Sequence, residues 1–176
     1  NWDLITHAVP KLRADPKCAG INIITNLTMI DDEKADYLKA NGVGVSWSFD
    51  GMGSNESRPL LPLLENTNPE TGEIFNGILD MYNYKKETIT KLTNGCKVMI
   101  WPGNTADMTE NFEFLSDWGI EHPDFSIVRD DVWDKDSLVE FHRECGRLAD
   151  AWISKIKQGI PCSVGFLRLA ILDILF

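Results

Sequence analysis

The feature that most constrains this chain is a repeated change of hydrophobic period. Short apolar or alternating runs at 20–25, 43–49, 96–101 and 124–128 read as strands, and each is followed by a stretch with helical spacing, at 31–40, 73–92, 107–118 and 135–157. Asn41-Gly42, Asn94-Gly95 and Gly119 supply the helix stops. Strand then helix, four times over, predicts right-handed βαβ units: an α/β fold with a parallel sheet and outer helices. An opening stretch with Leu4, Ile5, Ala8, Val9 and Leu12 reads as a further helix that Pro10 kinks or shortens. A loop rich in Gly, Ser, Asn and Pro occupies 51–72. The last helix carries Leu138, Phe141, Cys145, Leu148, Trp152 and Ile156 along one face, a stripe expected to pack on the sheet.

Parallel sheets bind ligands at the carboxyl ends of their strands, which directs attention to Thr25-Asn26, 48–51, 101–104 and 128–131. The strand at 43–49 is the most informative. Val43, Val45, Trp47 and Phe49 are large and apolar, whereas Gly44, Ser46, Ser48 and Asp50 alternate with them on the other face. A parallel strand covered on both sides reads as a continuous apolar run. A face of Gly, Ser, Ser and Asp therefore predicts a polar cavity in front of it, or else an edge strand facing water.

With 176 residues, 43% hydrophobic, there is material for one ordinary core. A formal charge of -10 gives no basis for a phosphate-backbone footprint, so nucleic acid and anionic membrane are excluded as expected partners. No apolar run approaches the roughly 18 residues of a membrane span, and no signal-peptide pattern opens the chain, so the expected compartment is the cytoplasm. Cys18, Cys96, Cys145 and Cys162 are too dispersed for a disulfide framework or a zinc spacing and read as reduced thiols. His7, His122 and His142 show no metal-ligand spacing. Both termini fall inside apolar patterns, which reads as an internal piece of a longer protein.

The stretch "ITNLTMIDDEKADYLKANGVGVSWSFDG" resembles the third strand, helix and fourth strand of radical S-adenosylmethionine enzymes, most similarly the subgroup with a cysteine-rich SPASM or twitch extension. A Thr-Asn-Gly turn, an acidic helix start and a Ser-hydrophobic-Asp-Gly strand end recur there. "NWDLITHAVPKLR" is similar to the helix after that family's Gly-Gly-Glu-Pro segment. The resemblance implies part of a (β/α)6 partial TIM barrel over 1–157 and the start of a C-terminal extension at 158–176. The CxxxCxxC cluster loop and the Gly-Gly-Glu-Pro segment are absent from this sequence, and Leu27 stands where the turn usually has Gly.

The resemblance implies S-adenosylmethionine and a [4Fe-4S] cluster as cofactors, the cluster's ligands lying outside this stretch, and cofactor contacts at Thr25, Asn26, Ser46, Ser48, Asp50, Arg58, Asn104 and Val128. Ser48 and Asp50, about 6 to 7 Å apart along one strand face, suit two sugar hydroxyls; Asp50 equally suits a local turn cap. Arg58 suits the cofactor carboxylate through bidentate pairing, or simple solvation. Asn104 suits the adenine or ribose, or a local turn role. In "RDDVWD", Asp130 and Asp131 are the candidate catalytic base, since neighbouring carboxylates at a buried strand end raise one another's pKa. Asp134 and Asp136 fit helix capping and the dipole instead. Cys162 matches the first auxiliary-cluster cysteine of the extension, or a small buried hydrophobe.

The implied activity is reductive cleavage of S-adenosylmethionine to a 5'-deoxyadenosyl radical for hydrogen abstraction, with a peptide, protein or small-molecule substrate and an electron donor as partners. This piece alone is expected to be inactive. The alternative is a non-catalytic βα interaction module, because fold alone never establishes chemistry.

Overall fold

The structure, a computed structural model, describes residues 2–60, 66–129 and 131–167. Strands β1 (Ile21–Thr25), β2 (Val43–Ser48), β3 (Gly95–Ile100) and β4 (His122–Ile127) form one sheet in the order 1-2-3-4, all neighbours parallel. Around it lie α1 (Trp2–Ala14), α2 (Asp32–Ala40), the short α3 (Ser54–Ser57), α4 (Ile78–Tyr84), α5 (Lys86–Leu92), α6 (Met108–Trp118) and α7 (Lys135–Lys157). The α/β class and the parallel sheet with outer helices are those the alternating periods predict.

Register fixes which residues share a face. Thr25 pairs with Trp47, and Trp47 with Cys96; one position on, Ser48 pairs with Lys97, and Lys97 with Asp124. β2 and β3 share only two register pairs, extended by the Phe49 N–H donating to the Lys97 carbonyl at 2.9 Å, so β3 runs on past the end of β2. Val43, Trp47, Cys96, Val98, Ile100 and Phe125 point to the helices and are buried. The other face is open among the described residues: Ile24 is 65% exposed, and Asn22, Gly44 and Asp124 are exposed as well.

The core between sheet and helices is aromatic. Trp47 packs on Phe49, Tyr82 and Trp118 with ring centroids 4.7, 4.8 and 5.6 Å apart, and Phe114 joins Phe49 and Trp118. Each such pair adds about 0.5–1.5 kcal/mol beyond the area it buries. β2 is thus anchored on its helix side by Trp47 and Phe49, which fixes the direction of the polar residues on its open face.

Three expectations need correction. Pro10 does not shorten α1, which runs from Trp2 to Ala14. The carbonyl four residues back, on Thr6, loses the amide that Pro lacks, and the Tyr37 hydroxyl reaches it at 3.5 Å. The helix expected over 73–92 begins only at Ile78 and breaks at Lys85, because residues before it fold into a turn bridged from Thr67 to Ile74. The stripe on α7 is core only at its middle: Leu148 and Trp152 are buried, but Leu138 and Ile156 are about half exposed.

Helix α7 is instead secured to α6 by a buried carboxylate. Glu144, fully buried, accepts from the Thr109 hydroxyl at 2.9 Å and pairs with Arg147 at 2.5 Å. The Asp31 and Asp134 side chains cap α2 and α7 by accepting the N–H of Lys34 and Ser137. All four cysteines are free thiols. Among the described residues no helix is long and apolar enough to cross a membrane.

Candidate functional site

At the carboxyl end of β2 the chain turns through Gly51, whose φ of +82° is a conformation reserved for glycine. A side chain there is impossible for a second reason: a Cβ would lie 2.1–2.2 Å from the Asn111 side chain of α6. Asn111 occupies that space because its Oδ1 accepts the Met52 N–H at 2.7 Å. The buried Ser54 hydroxyl accepts the Asp50 N–H and donates to the Gly51 carbonyl at 2.6 Å.

This turn delivers Asp50 to Arg58. The Asp50 carboxylate is buried and accepts from two guanidinium nitrogens of Arg58, Nη2 at 2.9 Å and the closer Nε, as well as from the Ser57 hydroxyl at 3.1 Å. Asp50 and Arg58, each expected to touch a cofactor, thus hold one another. The pair clamps the loop after β2, close to a cleft of about 260 Å³ lined by Asp50, Ser57, Trp101, Gly103, Asn104 and Asp107. Asn104 is buried and locally engaged: it accepts from the Trp101 N–H and donates to the Met99 carbonyl, both at 2.9 Å.

The open sheet face holds the rest. Ser46 and Ser48 are half-buried on it, as the alternation requires. Gly44 is small because Asn22 crosses it; a Cβ would stand 2.7 Å from Asn22 Oδ1. Among the described residues the face in front of this row is open, with Ile24, Gly44 and Asp124 exposed. Thr25, by contrast, lies on the helix side in register with Trp47 and lines a separate, mostly apolar hollow of about 330 Å³ with Trp2, Ile5 and Ile23. Its hydroxyl accepts the Leu27 N–H at 3.2 Å. Asn26 is exposed beyond the strand end, its Oδ1 accepting the Thr28 N–H and hydroxyl.

Just past the end of β4, Val128 is half-buried; its N–H donates to the Ile100 carbonyl and its own carbonyl accepts Trp133 Nε1 at 2.9 Å. Asp131 is exposed and accepts the Val132 N–H at 2.8 Å, and Asp130 lies outside the described residues. Cys162 is half-buried, its carbonyl taken by Trp152 Nε1, with burial pushing the thiol pKa up against the opposing charge of Lys155. Among the described residues no three His, Cys, Asp or Glu side chains gather where a metal could bind.

One residue of this face was missed from sequence. Lys97 stands beside Ser48 and Asp124 on the open side of the sheet and, among the described residues, forms no ion pair within 4.0 Å. Its signal was present in "CKVMIW", where Lys97 and Met99 alternate with the buried Cys96, Val98 and Ile100.

No family model and no curated protein matches the chain. Solved structures do. Native anSMEcpe with bound AdoMet and Cp18Cys peptide, and the same protein with Kp18Cys peptide, each match 96% of this chain with a TM-score of 0.63 and 13% identity. A histidine-tagged form of anSMEcpe with bound AdoMet matches 93% with a TM-score of 0.62, also at 13% identity. That protein is an anaerobic sulfatase-maturating radical S-adenosylmethionine enzyme. The likeness is one of fold, a partial radical-SAM-type βα barrel, and this chain spans 44–47% of the length of those chains.

Proposed function

We propose that this chain forms part of an S-adenosylmethionine site, presenting the carboxyl ends of β2 and β3 and the open face between them to the cofactor. The observation that carries this is the polar face formed by Ser46 and Ser48 on β2 with Lys97 beside them on β3, next to the 260 Å³ cleft at the strand ends. Such a cleft falls below the roughly 300–1,000 Å³ of a complete ligand pocket, so it would take only a portion of the molecule. Ser46 and Ser48 would hydrogen-bond ribose hydroxyls, and Trp101 would offer an apolar wall. Lys97 would meet the cofactor carboxylate, the role first assigned to Arg58, whose guanidinium is already paired. Asp50 orients the loop rather than the sugar.

The [4Fe-4S] cluster that the resemblance implies does not fit the described residues, which bring no ligand set together. The work proposed for this chain is binding, orientation and exclusion of water. For the intact protein we read the activity class as cleavage of S-adenosylmethionine for hydrogen abstraction from a peptide or protein, supported by the peptide complexes of the similar structures. The interaction-module alternative is supported by the openness of the same face, where Ile24 is 65% exposed. Calorimetric titration of anaerobically prepared intact protein separates the two: the proposal expects saturable S-adenosylmethionine binding, weakened about tenfold in Lys97→Met, as loss of a charge-assisted bond implies. Absence of binding rejects it.

A further inference from the structure

The loop at 26–30, which joins β1 to α2 at the carboxyl edge of the sheet, is held by a single helix at three carbonyls. From α4, the Tyr82 hydroxyl donates to the Asn26 carbonyl at 2.7 Å. At the end of that helix, one turn further, Lys85 Nζ donates to the carbonyls of Thr28 at 2.6 Å and Ile30 at 3.0 Å. Between these points Leu27 adopts φ +56°, a left-handed conformation that costs a residue with a Cβ, and buries its side chain.

We propose that Tyr82 and Lys85 form a two-point latch that sets the shape of the 26–30 loop, and that both are positioning residues for the ligand at the strand ends. Tyr82 lies between the two neighbouring strand-end loops: its ring meets Trp47 and Phe49 edge-on at 4.8 and 5.8 Å. Its hydroxyl also feels the charges of Arg58 and Asp50. The carbonyl of Asn26 takes the hydroxyl's one donor. Lys85 sits where α4 ends and α5 begins, so that helix break aims its ammonium at the loop. Asp31 and Lys34 are the charged groups that face it, and Lys34 neutralises Asp31, which leaves the two carbonyls as its ligands. Fixing carbonyls 26, 28 and 30 fixes the planes of the peptides that follow them. The Asn26 side chain is thereby directed, although neither latch residue touches the ligand.

The positioning role rests on the proposed S-adenosylmethionine site, and the latch itself does not. The test uses the intact protein with Tyr82→Phe, Lys85→Met and Lys85→Arg, read by amide hydrogen exchange and by S-adenosylmethionine titration. Exchange at Leu27, Thr28 and Ile30, whose N–H groups bond within the loop, is expected to accelerate about tenfold or more in Tyr82→Phe and Lys85→Met. β3 amides stay unchanged, and Lys85→Arg retains most of the protection. Unaltered exchange in both variants overturns the latch. If wild-type protein binds the cofactor, the same two variants are expected to bind it several-fold more weakly, and equal affinity with a loosened loop overturns the positioning role. If wild-type protein does not bind at all, the proposed function fails while exchange still decides the latch.

Discussion

Leu27 offers the sharpest stability test, because two of its properties oppose one another. Its φ of +56° lies in the left-handed region, where an L-residue pays roughly 1–2 kcal/mol that glycine avoids. Its side chain is only 2% exposed, and truncating a buried Leu to Ala costs about 2–5 kcal/mol. Leu27→Ala loses the burial and keeps the strain, so a destabilisation of about 2–5 kcal/mol is expected. Leu27→Gly loses slightly more surface but sheds the strain, less about 0.4–1 kcal/mol for the freer unfolded chain. Gly should therefore exceed Ala in stability by roughly 0.5–1 kcal/mol, the reverse of the order at ordinary positions. Urea unfolding followed by tryptophan fluorescence measures both. An Ala variant as stable as the Gly variant, or more so, would refute the assignment of strain to this turn.

Other outcomes follow from single contacts. Gly51→Ala drives a Cβ into Asn111 and should cost about 2–4 kcal/mol, partly recovered in Gly51→Ala/Asn111→Ala, with the left-handed strain remaining; additive effects of the two changes would rule out the clash. Burial raises the Tyr82 pKa to about 12 from 10.0; the indole N–H of Trp47, buried without a hydrogen bond of ordinary geometry, and the Arg58 charge oppose the rise. Because the folded pKa is the higher one, its contribution is complete below pH 10 and is lost as pH rises to 12, at most about 3 kcal/mol. Unfolding midpoints in alkaline buffers should fall more steeply for wild type than for Tyr82→Phe, and parallel curves would count against it. Glu144→Ala leaves the Thr109 hydroxyl unpaired between α6 and α7 and should lower stability by about 2–3 kcal/mol, with faster proteolysis near α7; a neutral result would show that the buried carboxylate contributes nothing net.

Local signals carried the fold well. Alternation in 43–49 located β2 and its two faces, and capping chemistry at Asp134 and the Gly119 stop marked helix ends within a residue. Long-range compensation was invisible: nothing in the sequence near Pro10 announces that Tyr37 will reach the Thr6 carbonyl across a separation of 31 residues. The pairing of Asp50 with Arg58 was hidden for the same reason. Residues eight apart across a Gly-Ser loop have no fixed geometry until Asn111, from α6, shapes the turn. The empty face of β2 left a cavity and a water-facing strand as alternatives, because a strand face records only what β2 contributes, whereas enclosure depends on what stands opposite. Lys97 was legible and overlooked, its alternation outweighed by the apolar run around it.

The most direct test of the proposed site is the footprint of S-adenosylmethionine on the intact protein, measured by amide hydrogen exchange with and without the cofactor. Added protection is expected at 46–50 and 99–104, the carboxyl ends of β2 and β3, with the hollow around Trp2 and Ile5 unaffected. Protection confined to that hollow, or no change at the strand ends under saturating cofactor, would contradict the account.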